Sequence, residues 1–187
     1  MNRARTLVEL VPYDPHWVHR FHVTAAELQP LFPGAAIEHV GSTSVPGLSS
    51  KDTIDVAVGV HDVADALGAK TLLGMGLRGF GHVPASFADD PDHAFFHRIV
   101  DDHRTDHVHI VRAESDAMRG YLLFRDFLRA TPDATHRYET AKRDLARRFA
   151  SHRDDYVMQK QPVVDALMAE ARAWARHVEW LAGREER

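Results

Sequence analysis

IEHVGSTSVPGLSSKDTIDVAV, residues 37–58, is the stretch whose reading decides the fold. A strand-like run, Ala36 to Val40, ends in the turn Gly41-Ser42-Thr43-Ser44, and Pro46-Gly47 makes a second turn. Lys51 and Asp52 then lead into a segment, Thr53 to Val60, that alternates Ile54, Val56 and Val58 with Thr53, Asp55 and Ala57. That period of two predicts a β-strand with Asp55 on the opposite face from the aliphatic residues. A Gly-Ser turn after a strand presents backbone N–H groups and hydroxyls, which can hold a phosphate. A carboxylate twelve to fourteen residues on, beside such a turn, can bind a Mg²⁺ that bridges the phosphates. The plainer reading is a glycine required by the turn and an aspartate capping a neighbouring group.

Outward from this stretch the pattern is mixed and then wholly helical. Leu7 to Val11 reads as a short strand. Asp14 is placed to cap a helix over His16–Phe32, with Pro15 at its first position and Trp17, Phe21, Ala25, Leu28 and Leu31 at helical spacing. His61-Asp62 begins a helix predicted to reach Met75, and Gly74 to Gly81 reads as a turn and strand region. Residues 84–93 form a polar loop. Ala94 to Val100 and Thr105 to Val111 read as a hairpin joined by Asp101–Arg104. Three helices follow: Met118–Ala130, Ala134–Phe149 after the break at Thr131-Pro132, and Asp154–Leu181. The expected class is α+β, a mixed three- to five-stranded sheet with backing helices in one domain over 1–187. Within it, about 7–112 form the α/β core and about 115–182 a helical extension packed on it. Residues 183–187 read as a frayed end.

Composition narrows the function classes. The 187 residues are 44% hydrophobic and 27% charged, with a formal net charge of −4. Basic residues of the second half alternate with acids (Arg143-Asp144, Arg153-Asp154-Asp155), so no basic stripe points to DNA or RNA. No apolar run is long enough for a membrane span and no apolar leader follows Met1, so a cytoplasmic location is the default expectation. Without cysteine there is neither a disulfide framework nor a zinc–thiolate site. Fourteen histidines are the unusual feature, since imidazole titrates near neutrality and binds transition metals.

HVGSTSVPGLSSKDTIDVAV (39–58) resembles the signature of the GrpB family, which is similar to the nucleotidyltransferase superfamily. VELVPYDPHWVHRF (8–21), AFFHRIV (94–100), DHVHIV (106–111), FRDFLRATPDATHRYETAK (124–142) and DDYVMQKQPVVDALMAEA (154–171) extend the resemblance over roughly residues 7–176. It implies a nucleotidyltransferase-like core with a helical tail, a nucleotide and a small-molecule acceptor as substrates, and a divalent metal, Mg²⁺ or Mn²⁺. The superfamily's Gly-Ser falls on Gly41 and Ser42, and its first metal carboxylate on Asp55. Its second carboxylate would stand at position 57, which is Ala57 here. The strand expected to bring the third offers His107 and His109, with Asp106 facing the other way. One carboxylate and two imidazoles suit Zn²⁺, Mn²⁺ or Fe²⁺ better than Mg²⁺. The alternative for the pair is a set of hydrogen-bonding histidines without metal.

The candidate site is therefore Asp55, His107 and His109 as metal ligands or acid–base groups. Gly41, Ser42, Thr43, Ser44, Lys51, Arg98 and Arg125 are the candidate substrate contacts. Arg98 would project over the same face as the histidines, and Arg125 and Arg129 share a helix face that an anion could meet. A solvated Lys51 and an internally paired Arg125 are the plainer readings. The i,i+4 pairs Tyr138–Lys142 and Tyr156–Lys160 make Lys142 and Lys160 minor candidates, and the i,i+4 spacing of His93 and His97 falls in a strand and reads as coincidence. Trp174, Val178 and Leu181 continue an apolar stripe that fits core packing or the seam of a homodimer. The functional expectation is transfer of a nucleotidyl or phosphoryl group to a small acceptor. The alternatives are a non-catalytic binder of nucleotides or small anions, and different chemistry at a histidine-bound metal.

Overall fold

A computed structural model describes residues 8–180. Leu7, Leu181 and the stretch 183–187 lie outside the described residues. The elements are α1 (His16–Leu28), β1 (Ala36–Val40), a single 3₁₀ turn (Ser42–Ser44), β2 (Ile54–Val60), α2 (Val63–Ala66) and α3 (Ala69–Leu77). They continue with β3 (Phe80–His82), β4 (His93–Val100), β5 (His103–Arg112), α4 (Asp116–Ala130), α5 (Pro132–Arg148) and α6 (Arg153–His177). The strands form one five-stranded sheet in the order β1-β2-β5-β4-β3. The β2–β5 pair is parallel and the other neighbours are antiparallel. This is the expected α+β mixed sheet followed by a helical half.

The strand period divides the sheet into two chemically different faces. Ile54, Val56 and Val58 of β2, Val108 and Ile110 of β5 and Phe96 of β4 are buried together against Trp17, Phe21 and Leu28 of α1 and Met75 of α3. Each such side chain contributes about 1.5–3 kcal/mol when fully withdrawn from water, so this face is the main core. One residue along each strand points to the other face. There Val40, Ala57 and Val111 seat α4 through Met118 and Leu122. Leu123, Phe127 and Leu128 of α4, Tyr138 of α5, and Leu167 and Ala171 of α6 close the helical half around Val45 and Leu48 of the turn region.

Helix ends follow local chemistry. Asp14 Oδ1 accepts the His16 N–H at 2.9 Å. Ser115 caps α4 through the Met118 N–H, and Pro132 opens α5, where its missing N–H costs nothing. Trp174 lies against Phe127, with ring centroids 5.9 Å apart, so this part of the C-terminal stripe is packed within the chain.

Three local expectations are corrected. The helix expected over 61–75 is two helices, because Gly68 adopts an extended ψ of 162° between them. Gly74 belongs to α3 rather than to a turn; a Cβ there would lie 2.5 Å from a Leu31 methyl carbon, so glycine lets helix and loop close together. Among the described residues, Val8–Val11 forms no strand: Val11 makes a single bridge to Ser50, and Val8 is buried beside Leu145 and Tyr156.

Candidate active site

The parallel register of β2 and β5 pairs Asp55 with His107 and Ala57 with His109. All four therefore occupy the same sheet face, and His107 Nδ1 lies 2.9 Å from Asp55 Oδ1. The Nε2 of that ring is buried without a hydrogen-bond partner. Gly41 makes room for the carboxylate. Its φ of 69° lies in the left-handed region, and a Cβ there would fall 2.2 Å from Asp55 Oδ2. The turn glycine and the strand aspartate are thus one packing unit, which explains their juxtaposition in the sequence.

Asp55 is ionised, with its pKa brought down to about 2. Burial alone would raise it, and the hydrogen bond from His107, followed by the charges of His107 and Lys51, overcomes that penalty. His109 is different. Burial pushes its pKa down to about 3, so the ring is neutral. Its Nδ1 lies 3.0 Å from Tyr121 Oη and 3.0 Å from His93 Nε2. Burial also lowers the His93 pKa and raises that of Tyr121. The three form an uncharged hydrogen-bonded cluster beside an ionised carboxylate.

The helical half completes the cleft over this face. A cavity of about 290 Å³ is lined by Ser42, Asp55 and His107 from the sheet side and by Lys142, Arg153 and Lys160 from α5 and α6, with Lys51 at its edge. Lys142 Nζ donates to Ser42 Oγ at 3.0 Å and to Ser49 O at 2.6 Å. Burial, followed by the like charge of Lys160, lowers its pKa to about 7. Burial with the charges of Arg153 and Lys160 does the same to Lys51. Lys51 is held in place by the next residue, since Asp52 accepts from Trp17 Nε1 at 2.8 Å and is paired with Arg20. A second cavity of about 520 Å³ adjoins the first and shares Ser42, Asp55, Phe87, His109 and Lys160 with it.

Not every expected residue reaches the cleft. Thr43 is fully buried with its hydroxyl 3.0 Å from His39 Nε2, and Ser44 Oγ donates back to Gly41 O at 2.6 Å. These two shape the turn, while Gly41 and Ser42 line the cleft. Arg98 does not project over the histidine face. It pairs with Asp106 in the register, so it lies on the α1 side, bonding Asp106 Oδ2 at 2.9 Å, Glu27 Oε2 at 2.5 Å and Thr24 Oγ1 at 3.0 Å. Arg125 is engaged by Glu38 and Asp126, each at 2.7 Å, and by His39 O, away from both cavities.

Asp55, His107 and His109 were expected to share a divalent metal. Among the described residues no three His, Cys, Asp or Glu side chains are arranged to hold one. Asp55 faces His107 Nδ1, and His109 turns its Nδ1 to Tyr121 and His93. Ala57, where a second carboxylate would stand, is fully buried in the apolar seat of α4. An acid there would face Met118 and Leu122 without water, so the helical cover and a two-carboxylate site exclude each other.

Arg153, Tyr121 and Phe87 are cleft residues missing from the sequence reading, and His93, whose spacing with His97 read as coincidence, also lines the cleft. A signal existed for the first: Arg153, Tyr156 and Lys160 recur at i, i+3 and i+7, one face of a helix. No spacing relates that face to β2.

Residues 7–170 match the protein family described as GrpB protein. UPF0157 protein PA4798 of Pseudomonas aeruginosa is 35% identical over 179 residues, covering 91% of this chain and 70% of that protein. A protein of Mycolicibacterium paratuberculosis named dephospho-CoA kinase is 32% identical over 95% of this chain, which spans only 49% of that protein. The crystal structure of conserved protein GrpB from Enterococcus faecalis superposes with a TM-score of 0.80 at 26% identity, covering 89% of this chain and 99% of that one. No helix among the described residues is long and apolar enough to cross a membrane. With the family match spanning residues 7–170, the shared sheet and the shared helical half, the chain belongs to the GrpB family.

Proposed function

We propose that the cleft between sheet and helical half binds a nucleotide by its phosphates. Charge carries this reading: Lys51, Lys142, Arg153 and Lys160 converge on one cavity in which, among the described residues, Asp55 is the sole carboxylate. Cations this close in a partly dry site repel one another and depress each other's protonation, a cost that a bound polyanion removes. Ser42 Oγ, already beside Lys142, adds a neutral hydrogen-bonding group. The site as built needs no metal for this, because the lysines and Arg153 supply the countercharge.

The test is calorimetric titration of the purified protein with inorganic tripolyphosphate and with nucleoside triphosphates, before and after Lys160→Ala and Arg153→Ala. Binding that weakens in both variants is expected. Failure of every phosphate probe to bind the unaltered protein would overturn the proposal.

One observation favours group transfer as a second reading. Asp55 is ionised, with one oxygen held by His107 beside the cationic cavity. In a nucleotidyl or phosphoryl transfer, the oxygen of an acceptor hydroxyl bonds to phosphorus, and the bond from phosphorus to the leaving phosphate oxygen breaks. The hydroxyl proton passes to the Asp55–His107 pair, and the lysines meet the charge on the departing oxygen. Release of phosphate or pyrophosphate from nucleoside triphosphates given pooled small hydroxyl compounds, abolished by Asp55→Asn, is the expected result. Release that persists in Asp55→Asn would refute the assignment.

A further inference from the structure

The two adjoining cavities differ in chemistry. The first is cationic; the second is walled by Phe87, Tyr121, Phe124 and Tyr138, with Val164 and Met168. Phe87 lies where they meet. It is the one aromatic ring that lines both cavities together with Asp55 and His109. Its ring stacks on His93, centroids 3.7 Å apart and planes 19° apart, and meets His109 edge-on at 5.6 Å.

Two properties of Phe87 do not suit a structural role. Its φ is 62°, a left-handed conformation that is an outlier for a bulky side chain and is strained. The residue is also 45% exposed, so little burial repays that strain. A large apolar ring held at a strained backbone position, half open and backed by an uncharged imidazole, is a platform for another flat ring. The partners behind it suit that use, because His93 and His109 are held neutral by burial and Tyr121 retains its proton.

We infer that Phe87 is the specificity-determining residue of the cleft, stacking the planar base of a nucleotide whose phosphates occupy the neighbouring cationic cavity. The inference rests on the phosphate-binding reading above and adds a choice to it. Phosphate contacts hold any polyphosphate, whereas an aromatic platform favours one that carries a heterocycle.

The experiment compares inorganic tripolyphosphate with the four ribonucleoside triphosphates by calorimetric titration, using unaltered protein and the Phe87→Ala, Phe87→Gly and Phe87→Trp variants. At least one nucleoside triphosphate is expected to bind more tightly than tripolyphosphate. In Phe87→Ala and Phe87→Gly that nucleotide should weaken about 5- to 100-fold, the range for loss of one base–aromatic stack, while tripolyphosphate affinity stays constant. Phe87→Trp should retain the preference. Phe87→Gly should melt no lower than the unaltered protein, since glycine relaxes the left-handed φ. Equal binding of tripolyphosphate and all four nucleotides, or nucleotide affinity unchanged in Phe87→Ala, overturns the stacking assignment and leaves the phosphate site standing. If neither tripolyphosphate nor any nucleotide binds, both readings fall together.

Discussion

The two faces of the sheet are made by the same strands and differ by a shift of one residue. On one, Ile54, Val56, Val58, Val108, Ile110 and Phe96 are buried against α1 and α3. On the other, Asp55, His107, His109 and Phe95 meet the cavities beneath α4, α5 and α6. Even the ion pairs divide this way. On the α1 side the Arg98 cation is met within the chain by two carboxylates, Asp106 and Glu27, and by the Thr24 hydroxyl. On the cleft side one carboxylate faces four cations. The difference teaches where stability and function are separable: the dry face holds the sheet to its helices, and the cleft face leaves charge uncompensated.

The sharpest way to break the comparison is to truncate both faces. Phe96→Ala removes a ring that is 1% exposed and should cost about 3–5 kcal/mol in urea unfolding. Lys160→Ala on the cleft side should move stability within about 0.5 kcal/mol, yet weaken tripolyphosphate binding about tenfold. A large loss of stability in Lys160→Ala would show that the cleft side carries the fold as well.

Acid tests a buried histidine on each face. His39, stacked on Phe21 at 4.8 Å, has its pKa lowered to about 4 by burial, and His109 to about 3. Both bind fewer protons folded than unfolded, so their contribution is complete above pH 6.5 and is lost as the pH falls toward 4 and then 3. For His39 the loss is on the order of 3 kcal/mol, and unfolding free energies measured between pH 7 and pH 4 should fall accordingly. A His39→Gln variant should flatten the upper part of that slope.

Gly41→Ala probes the unit formed by turn and carboxylate. The added Cβ strains a positive φ and collides with Asp55, so a loss of about 1–3 kcal/mol in denaturant unfolding is expected together with weakened ligand binding. The alkaline side probes the cleft cations themselves. Lys51 and Lys142, each brought to about 7, lose protons in the folded chain before the unfolded one. Stability should therefore rise from pH 7 toward 10.5 while tripolyphosphate affinity declines, an opposition that titrations at pH 6.5 and 8.5 would reveal.

Much of the fold was legible because its signals are local. Alternation marked β2, β4 and β5, helical spacing marked α1 and α4–α6, and Pro132 marked a boundary. The break at Gly68 and the helical Gly74 escaped, since the first depends on one residue's backbone and the second on contact with Leu31 across the chain. Within the site, parity put His107 and His109 on one face of their strand, whereas their meeting with Asp55 depended on how β2 and β5 pair. The fate of Arg98 was not legible, because reading it as a cleft residue put the hairpin's faces out of step with the register that pairs it with Asp106.

The sequence by itself determined which residues alternate, where turns fall, and that one acid is absent at Ala57. Only the tertiary structure decided what those facts mean. It laid β5 parallel to β2 so that Asp55 met His107, set α4 on Ala57, and turned Lys142, Arg153 and Lys160 toward Ser42 and Asp55, about 90 to 120 positions earlier in the chain. The physical reason is that periodicity fixes the direction of a side chain relative to its own element, whereas partners in a charged cleft are chosen by packing between elements, which no local pattern records.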